Sequence, residues 1–416
     1  MTIASPAPLT RVENVVRYLI LLALFSVSFS TALTNLFVGF GYIAFIAALC
    51  TSPALRRVLR SPPALLALAL LALFIVGASW SIAPHADLVT ALKKYSRLLI
   101  LPMAIAMSWR DPSLAPRSVY WFLGGAAVLA LSCYLVKFGL MPESSLGWWK
   151  VSKDARDAYV FRNHITIGIL LGFSACLSFM VASHSATGRA RALWIAGGVL
   201  FAVPTIFLGQ GRTGYVALFI GMLALFLIRT RTTPLRTIAG VATIGALFLG
   251  FYLASPNVKS RTDDMVNEIQ TERVQSPNGL RVSFMRVAAG LIAAHPVLGI
   301  GTGGFAEAYA PTAKRNWPAG HDMAVARHQP HSEFLLVAVQ LGLVGALIYF
   351  AMLGTIGAAA LGARNLESDS LALLWVIYVV TSAFNSLLWD TTEAHWFLLL
   401  SGCLYVGALR RRVAAP

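Results

Sequence analysis

Long apolar runs, separated by short stretches rich in Arg, Pro and Ser, recur along the whole of this 416-residue chain. A run of about 18 or more apolar residues is long enough to cross the hydrocarbon core of a bilayer as a helix. The pattern predicts spans at 15–33, 36–50, 62–80, 96–109, 118–138, 163–183, 192–209, 213–229, 235–254, 331–354, 370–389 and 394–409. None of these runs alternates every two residues as barrel strands do, and helices satisfy their own backbone groups in lipid. The expected fold is therefore an all-α integral membrane protein with about twelve transmembrane helices. The first two runs are nearly continuous, and their weakest boundary is Thr31 to Asn35. Were they one helix, every later loop would change sides.

Composition supports this solvent. The chain is 57% hydrophobic and 12% charged, with a mean hydropathy of +0.72. Its formal charge of +16 comes largely from short loops on one side: Arg11, Arg17, Arg56, Arg57, Arg60, Arg110, Arg117, Arg189, Arg191, Arg229, Arg231, Arg236, Arg364 and Arg410 to Arg412. The positive-inside rule then puts both termini on the inner side. The charge is read as membrane anchoring, and no nucleic-acid partner is expected. The first run lacks a small-residue cleavage site, so it is expected to stay on the protein. Cys50, Cys133, Cys176 and Cys403 all fall in apolar runs and read as small core residues, without metal spacing or a disulfide framework.

The chain divides into 1–254 with nine spans, a large outer loop at 255–330, and 331–416 with the last three spans. The large loop reads as a helical cap. In it Leu280, Phe284, Val287 and Leu291 recur at helical spacing as one apolar stripe. Arg281 falls at the edge of that stripe and Arg286 on the opposite side. A smaller outer loop, about 139–162, carries Trp148, Trp149, Lys150, Lys153, Arg156, Tyr159 and Arg162, a composition common in interfacial belts.

Other patterns carry less. Gly299 to Gly304 reads GIGTGG, yet no strand precedes it, so dinucleotide binding is discounted and the glycines are read as allowing a tight turn after His295-Pro296. His321, His328 and His331 fit no common metal spacing. Asp390 and Glu393 form a carboxylate pair in the last outer turn.

Three segments stand in a fixed order: GQGRTGY around Arg212, NGLR at Arg281 followed by HPVLGIGTGGF, and HSEFLLVAVQLGLVG from His331. With a large outer loop before a late span, this arrangement resembles the bacterial O-antigen ligase and polymerase superfamily, the ligase branch most closely. The motif likeness is confined to about 205–345. The resemblance implies a membrane glycosyltransferase of GT-C-like architecture with a helical periplasmic cap, in the bacterial inner membrane. Its reaction would move a glycan from undecaprenyl pyrophosphate to a sugar hydroxyl of lipid A-core on the periplasmic face. Those two molecules and the membrane lipids are the expected partners.

The chemistry of the residues agrees with that implication. A departing pyrophosphate needs stabilised negative charge, and arginine grips phosphate oxygens with a two-pronged, permanently charged fork. Arg212 and Arg281 are the candidates, as catalytic and substrate-binding groups. His331 is the candidate general base, kept neutral by its place at a helix start. Asp390, Arg286 and Arg162 are further candidates for binding substrate. No metal and no cofactor are expected. A polymerase or a protein O-oligosaccharyltransferase of the same superfamily would use similar residues. A solute transporter is the rival of another class, although its ionisable groups would sit at mid-membrane.

Overall fold

The computed structural model describes residues 8–142, 151–152, 157–230, 234–270, 277–316 and 327–410. Among them seventeen α-helices follow one another and no strand occurs. They are α1 (Arg11–Ser26), α2 (Thr31–Thr51), α3 (Pro53–Val58), α4 (Pro62–Val76), α5 (His85–Tyr95), α6 (Ile100–Arg110), α7 (Leu114–Lys137), α8 (His164–His184), α9 (Gly188–Val203), α10 (Arg212–Thr230), α11 (Pro234–Ala254), α12 (Pro256–Gln270), α13 (Pro277–Ala294), α14 (Phe305–Asn316), α15 (Glu333–Ala360), α16 (Leu366–Ser382) and α17 (Thr391–Leu409).

Eight of these helices are long and apolar enough to cross a bilayer: α2, α4 with the turn after it to Trp80, α7, α8, α9 continued to Leu208, α10, α11 and α15. The chain is a multi-pass membrane protein. The other four expected runs form helices of 16, 11, 17 and 19 residues, namely α1, α6, α16 and α17. Helix α17 loses apolarity to Glu393 and His395, yet it is the innermost helix, with nearly every side chain buried. Tyr378 of α16 stacks on its Phe397, with ring centroids 3.5 Å apart.

The break between the first two helices falls at residues 27–30, ahead of the expected stretch. Serines decide this. Ser30 caps α2 by accepting the Leu33 N–H at 3.3 Å, and the hydroxyls of Ser26 and Thr34 meet at 2.9 Å.

The segment after α11 forms α12, α13 and α14. The stripe on α13 packs on the protein core, where a helix lying on the bilayer was expected: Phe284 is buried, Leu280, Val287 and Leu291 are half-buried, and Arg286 is exposed. Residues 296–303 then leave the helical segments and lodge against α15. That helix is interrupted at Gly342, whose φ of 60° and ψ of −156° break its ladder. The N–H groups of Ile300 and Gly301 donate to the carbonyls of Val339 and Gln340, at 2.9 and 3.0 Å. In return, the Leu343 and Val344 N–H groups donate to Pro296 and Val297, at 2.8 and 3.3 Å. Gly299, Gly301 and Gly303 all have positive φ, which explains why the loop is so rich in glycine.

Candidate functional site

Four helix N-termini meet at one end of the bundle. Thr166 in the first turn of α8 donates to Glu393 in the first turn of α17, at 2.5 Å. Thr213 at the start of α10 accepts from Asn385 at 3.2 Å, and Glu333 at the start of α15 donates its N–H to the Asn385 carbonyl at 3.2 Å. The positive ends of four helices therefore converge here, an environment that favours anions. Helix α10 can come so close to α8 because glycine faces glycine: a Cβ on Gly214 would lie 2.5 Å from the Gly168 Cα. Such small-residue contacts are common where membrane helices cross.

Beside this junction is a half-open cavity of about 450 Å³. It is lined by Leu280, Arg281 and Phe284 of α13, by Arg327, His328, Gln329 and His331 of the segment entering α15, and by Trp389. Arg281 and His331, fifty residues apart in sequence, thus share one wall. The His331 ring lies 5.7 Å from that of Phe284. His331 precedes the N-cap Ser332 and has a φ of 54°, a left-handed conformation that histidine tolerates better than most residues.

Burial lowers the His331 pKa to about 4, with Arg281 and Arg327 contributing next. The imidazole is neutral at ordinary pH. The cause differs from the expected one: α15 begins two residues later, and burial with two guanidiniums does what the helix end was expected to do.

The remaining candidates fall elsewhere. Arg212 does not line the cavity; it opens α10, next to the Thr213 that holds Asn385. Asp390 follows the cavity residue Trp389, and its Oδ1 accepts from Gln329 at 3.4 Å, so it reaches the His331 segment through Gln329. Burial raises the Asp390 carboxyl above the usual range, opposed by the nearby Lys94. Arg286 points away from the cavity on the exposed face of α13. Arg162 is bound to Thr31 and to the Val27 carbonyl, the latter at 3.0 Å, and so ties the α1–α2 turn to the start of α8. His328 lines the cavity, stacked 6.1 Å from Trp389 with Asp87 at 3.9 Å. His321, with Trp148, Trp149, Lys150, Lys153 and Arg156, lies outside the described residues.

Several groups in or beside the cavity were given no role in the sequence analysis. Arg327 and Gln329 sit in the polar turn before α15, but only the fold turns them toward Arg281. Lys94 at the end of α5 lies over the Trp389 ring, 4.2 Å from its centroid, from nearly three hundred residues away. Arg97 donates to the Trp389 carbonyl at 3.3 Å and to Thr391 Oγ1 at 2.7 Å. Among the described residues, no three His, Cys, Asp or Glu side chains gather as a group that could hold a metal.

Residues 197–350 match the family model described as O-antigen ligase. That match covers 154 of the 416 residues, and over this stretch the chain is similar to the O-antigen ligase family. The match runs from α9 into α15 and takes in Arg212, Arg281, Arg327 and His331, while Arg162 and Asp390 lie outside it. No curated protein matches the chain.

Proposed function

We propose that the protein is an O-antigen ligase, transferring a glycan from undecaprenyl pyrophosphate to a sugar hydroxyl of lipid A-core on the periplasmic face of the inner membrane. In this reading the chain crosses the membrane twelve times in a GT-C-like architecture, residues 255–330 form the periplasmic cap, and both termini are cytoplasmic. The observation that carries it is the shared cavity of Arg281, Arg327 and a neutral His331 beside four converging helix N-termini.

In the reaction, the acceptor hydroxyl oxygen attacks the anomeric carbon of the donor. Its proton passes to a His331 ring nitrogen, and the bond from carbon to the pyrophosphate oxygen breaks with its electron pair on the leaving group. Arg281 and Arg327 face that developing charge, with Arg212 at the neighbouring helix start. After burial, the same two cations lower the His331 pKa further. A bound pyrophosphate would neutralise them, so the base would strengthen once the donor is seated. Asp390, Gln329 and Trp389 supply polar and aromatic surface for the sugars.

Purified protein mixed with undecaprenyl-linked glycan and lipid A-core tests the reading. Glycan on lipid A-core supports it. Polymer that stays on the donor lipid, or glycan on protein, would move the assignment to another branch of the superfamily.

A further inference from the structure

Glu333 opens α15 with its side chain fully buried, and the chemistry above does not use it. Its N–H donates to the Asn385 carbonyl, and its Oε2 accepts the N–H groups of Leu388, at 2.8 Å, and Trp389, at 3.3 Å. One residue therefore grips the 385–389 turn at both ends. From the turn, Asn385 Nδ2 reaches Thr213, the neighbour of Arg212, while the chain runs on through cavity-lining Trp389 to Asp390. On the other side, Glu333 is two residues from His331.

Helix capping does not account for the residue. The N-cap is Ser332, whose side chain makes no capping bond, and the Glu333 carboxylate turns away from its own helix toward the 388 and 389 amides. A buried carboxylate is costly unless hydrogen-bonded, and those amides would lose their acceptor without it. A leucine would fill the space and leave both donors orphaned.

We propose that Glu333 is a positioning residue that holds His331, the start of α10 at Arg212 and the Trp389–Asp390 wall in one register. Proton acceptor and pyrophosphate-facing cations then move as one body. The inference rests on the transferase reading, since it assigns a role within that site.

The test combines amide hydrogen exchange with transfer kinetics on the full-length protein in detergent. Glu333→Gln keeps an acceptor oxygen; Glu333→Leu keeps the volume alone. The Leu388 and Trp389 amides should be protected in the parent and in Glu333→Gln, and should exchange at least about tenfold faster in Glu333→Leu. Transfer should fall at least about tenfold in Glu333→Leu and stay within about threefold of the parent in Glu333→Gln. Combined with His331→Ala, Glu333→Leu should cost clearly less than it does alone, because part of its effect runs through that histidine. A merely structural role would instead multiply the two losses. Should Glu333→Leu fail to accumulate, Asn385→Ala cuts the arm to Thr213, together with a 3.4 Å bond to the Thr381 carbonyl, leaves the Glu333 contacts in place, and should lower transfer non-additively with Arg212→Lys. Parental exchange in Glu333→Leu, multiplying losses, or a Glu333→Gln variant as inactive as Glu333→Leu would each overturn the inference. Exchange needs no substrate, so a parent without transfer would refute the transferase reading and still leave the clamp open to judgement.

Discussion

At the scale of single residues, His331 is a base held in an unusual backbone conformation beside two cations, and its titration carries the first prediction. Burial first, and then the two cations, set its pKa at about 4. A general base works deprotonated, so activity governed by the free enzyme is retained above that value and lost as pH falls through it. kcat/KM for donor should therefore be level from about pH 5 upward and drop near 4. Donor binding screens Arg281 and Arg327, so the acid limb of kcat should sit at higher pH than that of kcat/KM, and Arg281→Gln should move the kcat/KM limb upward. Coincident limbs in both profiles would remove His331 from beside the arginines in the working enzyme. His331→Ala should lower transfer about 10²–10⁴-fold while labelled donor still binds. His328→Ala should cost much less, since that ring stacks on Trp389 from a more exposed position. Arg281→Lys and Arg212→Lys keep charge and lose the planar fork, so both should transfer poorly at normal membrane abundance. Parental rates in both lysine variants would make these arginines interfacial anchors. His331 and Arg281 could be singled out in the sequence because each sits in a short distinctive string, and the fold brings the two to one cavity. Arg327, Gln329 and Lys94 were given no role, since polar residues of a turn or a helix end become site residues only when a distant segment faces them. Glu333 was not singled out either: acids are common at helix starts.

At the scale of elements, most spans were legible because lipid demands long apolar runs. What escaped were the places where polar contacts set the boundary. The serines at 26 and 30 end α1 and start α2 inside a run that hydropathy reads as nearly continuous. The helices α1, α6 and α16 are short because buried neighbours, rather than length, settle them. The α8–α10 crossing depends on Gly168, Gly172 and Gly214: a Cβ at Gly172 would stand 3.2 Å from the Gly214 carbonyl oxygen. Gly214→Val should overpack this crossing by about 1–3 kcal/mol. It should lower the melting temperature in detergent and shift the helix start that carries Arg212, reducing transfer as well. Gly245 of α11 meets nothing within 4 Å, so Gly245→Ala should leave melting unchanged or raise it slightly. Equal melting curves for the two variants would mean that the crossing is looser than the glycine contacts imply.

At the scale of the whole molecule, the two ends of the bundle differ. One collects helix N-termini and the cavity; the other is fastened by ion pairs, with Asp369 holding His184 at 2.8 Å and Arg229 at 3.1 Å, and Arg110 holding Glu13 at 3.0 Å. In the proposed topology the basic loops put that second end in the cytoplasm. Reporter fusions after residues 185 and 410 should report cytoplasmic positions, and one within 143–150 a periplasmic position; the reverse pattern would put the cavity on the wrong side for a lipid-linked periplasmic donor. With arginines as the proposed pyrophosphate-binding groups, transfer should persist in excess EDTA, and restoration by magnesium of an activity lost to chelator would refute this. The interrupted helix α15 constrains how such a bundle can be made. Four of its backbone groups around Gly342 are satisfied only by residues 296–301, and a Cβ at Gly342 would lie 2.2 Å from the Val297 oxygen. Lipid offers such groups no partner. Residues 333–360 therefore cannot mature as a self-sufficient span during biosynthesis, and become stable only on receiving a segment that the ribosome has already delivered. The order of synthesis, from the N-terminus onward, supplies the plug before the gap.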